Sequence, residues 1–223
     1  MSIATTLVIP TMGRPSLDLL LESLAEQVVR VDAPIILVDD RPGDVPDLAP
    51  GGADGLKGLD VRVVRSGGGG PARARNIGWR HARTEWVSFV DDDVLPAEDW
   101  YAALLDDLAV ASAQGAVGTS AHVRVPLPRD RRPTDWERGT HGLETSRWIT
   151  ADLSYRRDAV AAVGGFDERF PRAFREDADL ALRLGATLDA DSPILQGART
   201  ITHPVRPADD WASLRQQAGN ADD

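Results

Sequence analysis

LVIPTMGRPSLDLLLESLAEQVVRVDAPIILVDD, residues 7–40, decides the fold. From Thr6 to Ile9 the chain is a short apolar run rich in β-formers, and Pro10, Gly13 and Pro15 end it as turn residues do. From Ser16, read as a helix cap, Leu17, Leu20, Leu21, Leu24 and Val28 recur at helical spacing with charged residues between them. Ile35 to Val38 is a second continuous apolar run, and it stops abruptly at Asp39 and Asp40 before the turn Arg41-Pro42-Gly43. Strand, amphipathic helix and strand in that order are the signature of a parallel βαβ unit.

Outward from this unit the alternation continues. Residues 41–59 are rich in Gly, Pro and Asp without periodicity and read as a long loop; a third strand spans Val61 to Val64. Pro71, after the glycines 67–70, suits the first turn of a helix reaching about Ala82. Trp86 to Val90 is the next strand and empties into Asp91, Asp92 and Asp93. Pro96 then opens a helix with Trp100, Leu104, Leu105 and Leu108 on one face. Ala116 to Val125 is strand-like, whereas residues 126–142 hold three prolines and read as a loop. A strand around Trp148 to Ser154, a helix Arg157 to Val163, the turn Gly164-Gly165, a helix Glu176 to Leu184 and a strand Arg199 to Thr202 complete the pattern. The tail from residue 207 offers a helical turn or two around Trp211 and Leu214 and no core-sized apolar face.

The composition narrows the chemistry. With 223 residues and 42% hydrophobic content, the chain can bury one sizeable core. No stretch reaches the roughly 18 apolar residues of a membrane span, the N-terminus lacks the layout of a signal peptide, and the expectation is a soluble, cytoplasmic protein. Cysteine is absent, which excludes disulfides, thiolate metal sites and cysteine nucleophiles and leaves oxygen and histidine as metal ligands. A net charge of -10 argues against binding nucleic acid through the overall field.

Three constellations carry chemistry. Parallel sheets bind ligands at the carboxyl ends of their strands, where Asp39-Asp40 and Asp91-Asp92-Asp93 both fall. If the triplet stays extended, Asp91 and Asp93 project to one side and face a cation or its water shell; the alternative is a solvated acidic turn. The stretch SGGGGPARARNIGW joins a flexible backbone, a helix N-terminus and Arg73, Arg75 and Arg80, a combination suited to a diphosphate, although it is neither a Walker motif nor a dinucleotide fingerprint. Glu176 and Asp177 open a helix, where acidic residues meet the helix dipole favourably and where a carboxylate aimed into a cleft can act as a general base. His203, at a strand end, is either packed or a further ligand.

Taken in order, LVIPTMGRPSL, ILVDD, GGGGPARARNIGW, WVSFVDDDV, GGFDERF, REDADLALRL and THP resemble the inverting family 2 glycosyltransferases of GT-A fold, over nearly the whole of Thr6 to Pro204. The resemblance implies one GT-A domain over residues 1–206, a Rossmann-like mixed central sheet flanked by helices. Its nucleotide-binding half runs to about residue 95 and its acceptor half over about 96–206. The family pattern places Thr11, Asp39, Asp40, Arg75 and Asn76 by the nucleotide, Asp91 and Asp92 by ribose and metal shell, and Asp93, with Asp91 and His203, on a magnesium or manganese ion. Asp177 matches the catalytic base and Glu176 an orienting neighbour, while Gly164, Gly165 and Phe166 shape the acceptor side. The implied reaction takes a sugar from a nucleotide-sugar donor to an acceptor hydroxyl by one inverting displacement.

Departures bear on specificity. Arg41-Pro42-Gly43-Asp44 follows Asp40 where many family members carry a small polar run, so the base and donor sugar stay open. Neither a C-terminal membrane segment nor a Q-x-x-R-W string is present, which favours single addition over processive synthesis. Peripheral membrane contact fits a lipid acceptor, and a homodimer is compatible with the sequence. The rival readings are a nucleotidyltransferase, for which PTMGRPSL is a short glycine loop, and a non-catalytic nucleotide-sugar-binding module or subunit of a longer protein.

Overall fold

The computed structural model describes residues 3–50, 56, 58–170, 175–187 and 194–206. β1 (Thr5–Thr11), α1 (Pro15–Ala25) and β2 (Ile35–Asp39) form the expected unit, with β1 and β2 parallel and Leu7 opposite Ile35. Both strands are buried along nearly their whole length, because elements cover both faces of the sheet; polarity therefore does not alternate along them. Pro15 occupies the first turn of α1, so Arg14, not Ser16, holds the cap position. Leu17, Leu20, Leu21 and Leu24 are at most 3% exposed, and burying four leucines contributes roughly 6–12 kcal/mol. Val28 lies beyond the helix end and faces solvent.

β3 (Val61–Arg65) pairs parallel with β2, and β4 (Trp86–Val90) pairs parallel with β1. Between them α2 (Pro71–His81) packs across β1 and β2 at close range: a Cβ on Gly78 would stand 2.2 Å from Val8 Cγ1. The helix expected from Pro96 begins later. Leu95–Pro96 is a short edge strand, β5, and α3 (Trp100–Ala113) follows with Asp99 at its cap. Proline suits a first helical turn and a sheet edge equally well, and pairing of Leu95 with Thr202 decides for the edge.

The second half is mixed. β6 (Gly118–Arg124) and β7 (Asp152–Arg156) are antiparallel to each other, β7 is antiparallel to β4, and β8 (Ile194–Thr202) runs parallel to β6. Residues 126–142, expected as a loop, contain α4 (Asp135–His141), followed by a 3-10 turn at Gly142–Thr145. A capping box starts α4: the Thr134 hydroxyl accepts from Glu137 N, and the Glu137 carboxylate accepts from Thr134 N. No α4 residue is buried, so no apolar period marks the helix. The strand expected from Trp148 begins only at Asp152, since Trp148 sits at φ 62°, outside the strand region. α5 (Arg157–Ala162) and α6 (Glu176–Thr187) pack against each other beside β7. The tail from residue 207, with Trp211 and Leu214, lies outside the described residues.

Sheet order is β3-β2-β1-β4-β7-β6-β8-β5. β4 and β5 are thus four positions apart, about 19 Å in a flat sheet. The five-residue step from Val90 to Leu95 reaches about 18 Å at full extension, and it contains a turn at Asp92-Asp93. The sheet must therefore curl, and the curl brings the ends of β4 and β8 to one side of the molecule.

Candidate active site

At the carboxyl end of β4 the three aspartates do not stay extended, one of the two arrangements the sequence left open; Asp92 and Asp93 form a turn, and each carboxylate meets a different arginine. Arg75 Nη2 donates to Asp91 Oδ1 at 2.8 Å. Asp92 accepts from Thr11 Oγ1 at 2.6 Å and from Arg14 Nη1 at 3.3 Å. Asp93 pairs with Arg206 and faces His203 Nε2 at 3.6 Å. These guanidinium groups relieve the repulsion of adjacent carboxylates. Burial still lifts the pKa of Asp91, against the pull of Arg75 and with a further lift from Asp93.

Arg75 is the hub. It is 2% exposed, and its Nη1 donates to Glu176 Oε1 at 2.7 Å. Its guanidinium lies 5.7 Å from the Phe166 ring, which stands edge-on to Phe89 at 5.1 Å. Burial pushes the Glu176 carboxyl up, opposed by Arg75. Arg75 Nε and Glu176 Oε2 are buried without a partner, valences left over in the wall of a cleft. Asp177 follows in the first turn of α6, where Ala178 N donates to its Oδ1 at 2.8 Å and Thr150 N to its Oδ2 at 3.3 Å.

Thr11, Asp40, Arg75, Asp91, Asp92, Asp93, Glu176, Asp177 and His203 all line this cleft of about 840 Å³. Asp39 and Asn76 do not. Asp39 is fully buried and grips Arg41, whose Nε and Nη2 each donate at 2.8 Å; that guanidinium holds the carboxyl below the usual range, and the pair braces the 41–46 turn. Asn76 is consumed as a clamp: its Nδ2 donates to Phe166 O, and its Oδ1 accepts from Phe166 N and Trp79 Nε1, each at 2.9 Å. The clamp demands glycine at 165, where φ is 86° and a Cβ would stand 2.3 Å from Asn76 Oδ1. Gly165 and Phe166 thus back Arg75 from behind.

The arginines of the glycine-rich stretch do not gather into one anion cradle. Arg73 is exposed, Arg75 is internal, and Arg80 lies over Trp79 and pairs with Glu168 at 3.6 Å. The Gly70 N–H before α2 is taken by Asp40 Oδ2 at 3.0 Å.

The opposite wall comes from the segment read as a loop. Trp136 of α4 lines the cleft and donates from Nε1 to Arg206 O at 3.0 Å; Arg147, stacked 5.2 Å from the Trp148 ring, lines it too. Arg14, Thr150, Arg147 and Arg206 line the cleft too, and the sequence reading missed them. Thr150 acts through its backbone N–H and leaves no signal, whereas Arg206 stands three residues beyond His203.

Asp93 and His203 also suit a divalent cation. His203 Nδ1 lies 3.2 Å from Pro204 O. A carbonyl only accepts, so this bond assigns the proton to Nδ1, and in the neutral ring the Nε2 lone pair faces Asp93. Among the described residues no group of three or more acidic or histidine side chains converges on one point. Magnesium-type sites with one or two protein ligands are completed by substrate phosphates.

Known proteins bear on this geometry. Two strains of Mycobacterium tuberculosis carry a pre-mycofactocin glycosyltransferase that is 30% identical over 146 residues, covering 61% of this chain and 29% of the relative. The chain thus matches less than a third of that relative's length. Among solved structures, S. aureus TarS 1–349 in complex with UDP-GlcNAc superposes with a TM-score of 0.63 at 18% identity, covering 95% of this chain and 61% of TarS 1–349. GalNAc-T7 with UDP, GalNAc and Mn2+ gives a TM-score of 0.64 at 16% identity, covering 92% of this chain and 44% of that one. Both are GT-A glycosyltransferases, and the curled mixed sheet is their fold. Over residues 6–166 the chain matches the sequence model described as glycosyl transferase family 2. From its fold, its cleft and that match over most of its length, the chain belongs to glycosyl transferase family 2.

Proposed function

We propose that this chain transfers a sugar from a nucleotide-sugar donor to an acceptor hydroxyl by a single, inverting displacement assisted by a divalent cation. One observation carries the reading: the aspartates after β4, His203 after β8 and Asp177 on α6, distant in sequence, share one cleft. Asp177, held by two backbone N–H groups, takes the proton of the acceptor hydroxyl as that oxygen attacks the anomeric carbon. The bond from the anomeric carbon to the diphosphate oxygen breaks on the opposite face, and its electron pair leaves with the nucleoside diphosphate. Asp93 and His203 would hold the cation, which supplies charge neutralisation for that leaving group. Asp91, Arg75 and Glu176 form a rigid polar floor beneath the sugar. Asp92 fixes the turn through Thr11 and Arg14. The α4 wall, with Trp136 and Arg147, faces Asp177 from the acceptor side.

The test begins with binding. UDP comes first, since two of the structural relatives hold UDP or UDP-GlcNAc, followed by GDP, dTDP and CMP, each with Mn2+, Mg2+ or EDTA. The reading expects one nucleoside diphosphate to bind only with the cation and to lose that binding in Asp93→Ala. Asp177→Asn should keep nucleotide binding while transfer falls by about 10²–10⁴-fold. Unchanged transfer in that variant would sink the base assignment, and absence of cation-dependent binding in the folded wild type would sink the donor site.

A further inference from the structure

We infer that Arg206 exchanges partners during donor binding, neutralising Asp93 in the donor-free protein and turning to the leaving diphosphate when a divalent cation takes Asp93 and His203. This rests on the donor-site reading above and adds a residue to it.

The three aspartates after β4 each have an arginine, but the three pairs are not equivalent. The Arg75 side chain is 3% exposed and is shared between Asp91 and Glu176, so any departure would strand two carboxylates. Arg14 stands at the cap position of α1, and its partner Asp92 already accepts from Thr11 Oγ1. Arg206 combines two features that neither of the others has together. Its side chain is 44% exposed, as that of Arg14 is at 43%, and its partner Asp93 has no hydroxyl donor like Thr11 but faces the imidazole of His203. With Nδ1 turned to Pro204 O, the Nε2 of that imidazole faces Asp93 at 3.6 Å, and the guanidinium of Arg206 is the permanently charged partner of the same carboxylate.

The backbone around Arg206 is tethered while its side chain is not buried. Trp136 Nε1 donates to Arg206 O, and His203 N donates to Arg124 O at 2.8 Å. A side-chain rotation therefore suffices to release Asp93, and the guanidinium stays on the cleft wall, where it can fork onto phosphate oxygens. A cation entering alone must share one carboxylate with Arg206, and like charges oppose it. A diphosphate entering with the cation gives Arg206 a new partner and removes the conflict. The exchange thus makes cation and diphosphate bind cooperatively, and Arg206 is a diphosphate-positioning residue in the loaded protein.

The test uses the full chain and two probes, Mn2+ alone, read as free ion by electron paramagnetic resonance, and pyrophosphate with Mn2+, read by calorimetry. Arg206→Gln should bind Mn2+ alone about three- to tenfold more tightly, the size of a half-exposed ion pair. The same variant should bind pyrophosphate with Mn2+ about tenfold more weakly. Arg206→Lys should keep the weak Mn2+ affinity and recover part of the pyrophosphate binding. Opposite signs in the two titrations support the exchange. Two affinities that fall together would mean local structural damage and overturn it, as would a Mn2+ affinity that does not rise. If pyrophosphate with Mn2+ binds wild type and Arg206→Gln equally, the exchange falls and the donor site stands. If Asp93→Ala binds both probes as wild type does, the donor site falls as well.

Discussion

Two arginines in this molecule are each set between two carboxylates, and they do different work. Arg199, on β8, is fully buried between Asp152 of β7 and Asp107 of α3, donating to each at 2.9 Å and to Thr119 O at 2.8 Å. Trp100 Nε1 donates to Asp152 at 2.5 Å, and Asp107 accepts from Ala198 N at 2.7 Å, capping the β8 irregularity at which a Cβ on Gly197 would strike it. No nitrogen of the Arg199 guanidinium is unpartnered. Arg75 has the same plan but leaves its own Nε and Glu176 Oε2 unpartnered in the cleft wall. A closed network fixes the frame, whereas one beside a cavity with two unsatisfied valences is incompletely closed. Burial lifts the Asp152, Asp91 and Glu176 carboxyls alike, so the pKa shifts do not separate the two networks, whereas unpaired valence does.

The contrast can be broken by matched substitutions. Arg199→Met strands two buried carboxylates and should cost about 3–5 kcal/mol in urea unfolding. Arg75→Met should cost less, because Asp91 is partly open to water, while abolishing donor binding; equal destabilisation by the two would erase the distinction. Glu176→Gln keeps an oxygen for Arg75 and changes the spare valence, so the melting temperature should hold while kcat/KM drops about tenfold, near 1.4 kcal/mol. A third pair, Asp39–Arg41, is closed on one side and open on the other, and it sharpens the scale. The Asp39 pKa is lowered on folding, so the pair's stabilisation is complete above the ordinary carboxylate range and is lost as pH falls through the lowered value. Arg41→Ala should therefore lower the urea midpoint at neutral pH, with the gap to wild type closing on acidification below about pH 4.

How far the sequence carried differs between the halves. β1, β2 and β4 were legible because strands buried on both faces read as unbroken apolar runs ended by charge. The order of strands beyond β4 was not, because pairing of β7 with β4 or β5 with β8 depends on partners many residues away. α4 escaped notice since its only mark is Thr134-x-x-Glu137, with no buried face to impose a period. Within the site, Asp91 to Asp93, Asp177 and His203 stood out as weak signals at strand and helix ends, the family resemblance gave them roles, and all five line the cleft. Asp39 and Asn76 came with them but serve as braces, a difference visible only once Arg41 and Phe166 are seen beside them. The Arg199 network left a faint trace: Asp107 falls among Trp100, Leu104 and Leu108 on the core face of α3, a charge where a helix expects none.

The short pairing of Leu95 with Thr202 joins stretches of chain more than a hundred residues apart. Such a contact closes a very long loop and is rewarded only after β6 has given β8 a place to dock. Asp93 and His203 flank that pairing, so they stand side by side only once β8 has docked on β6. A chain emerging from the ribosome carries the aspartates long before the histidine. If the two hold the cation as proposed, occupancy would be a report on completion, discriminating finished molecules from partly folded ones.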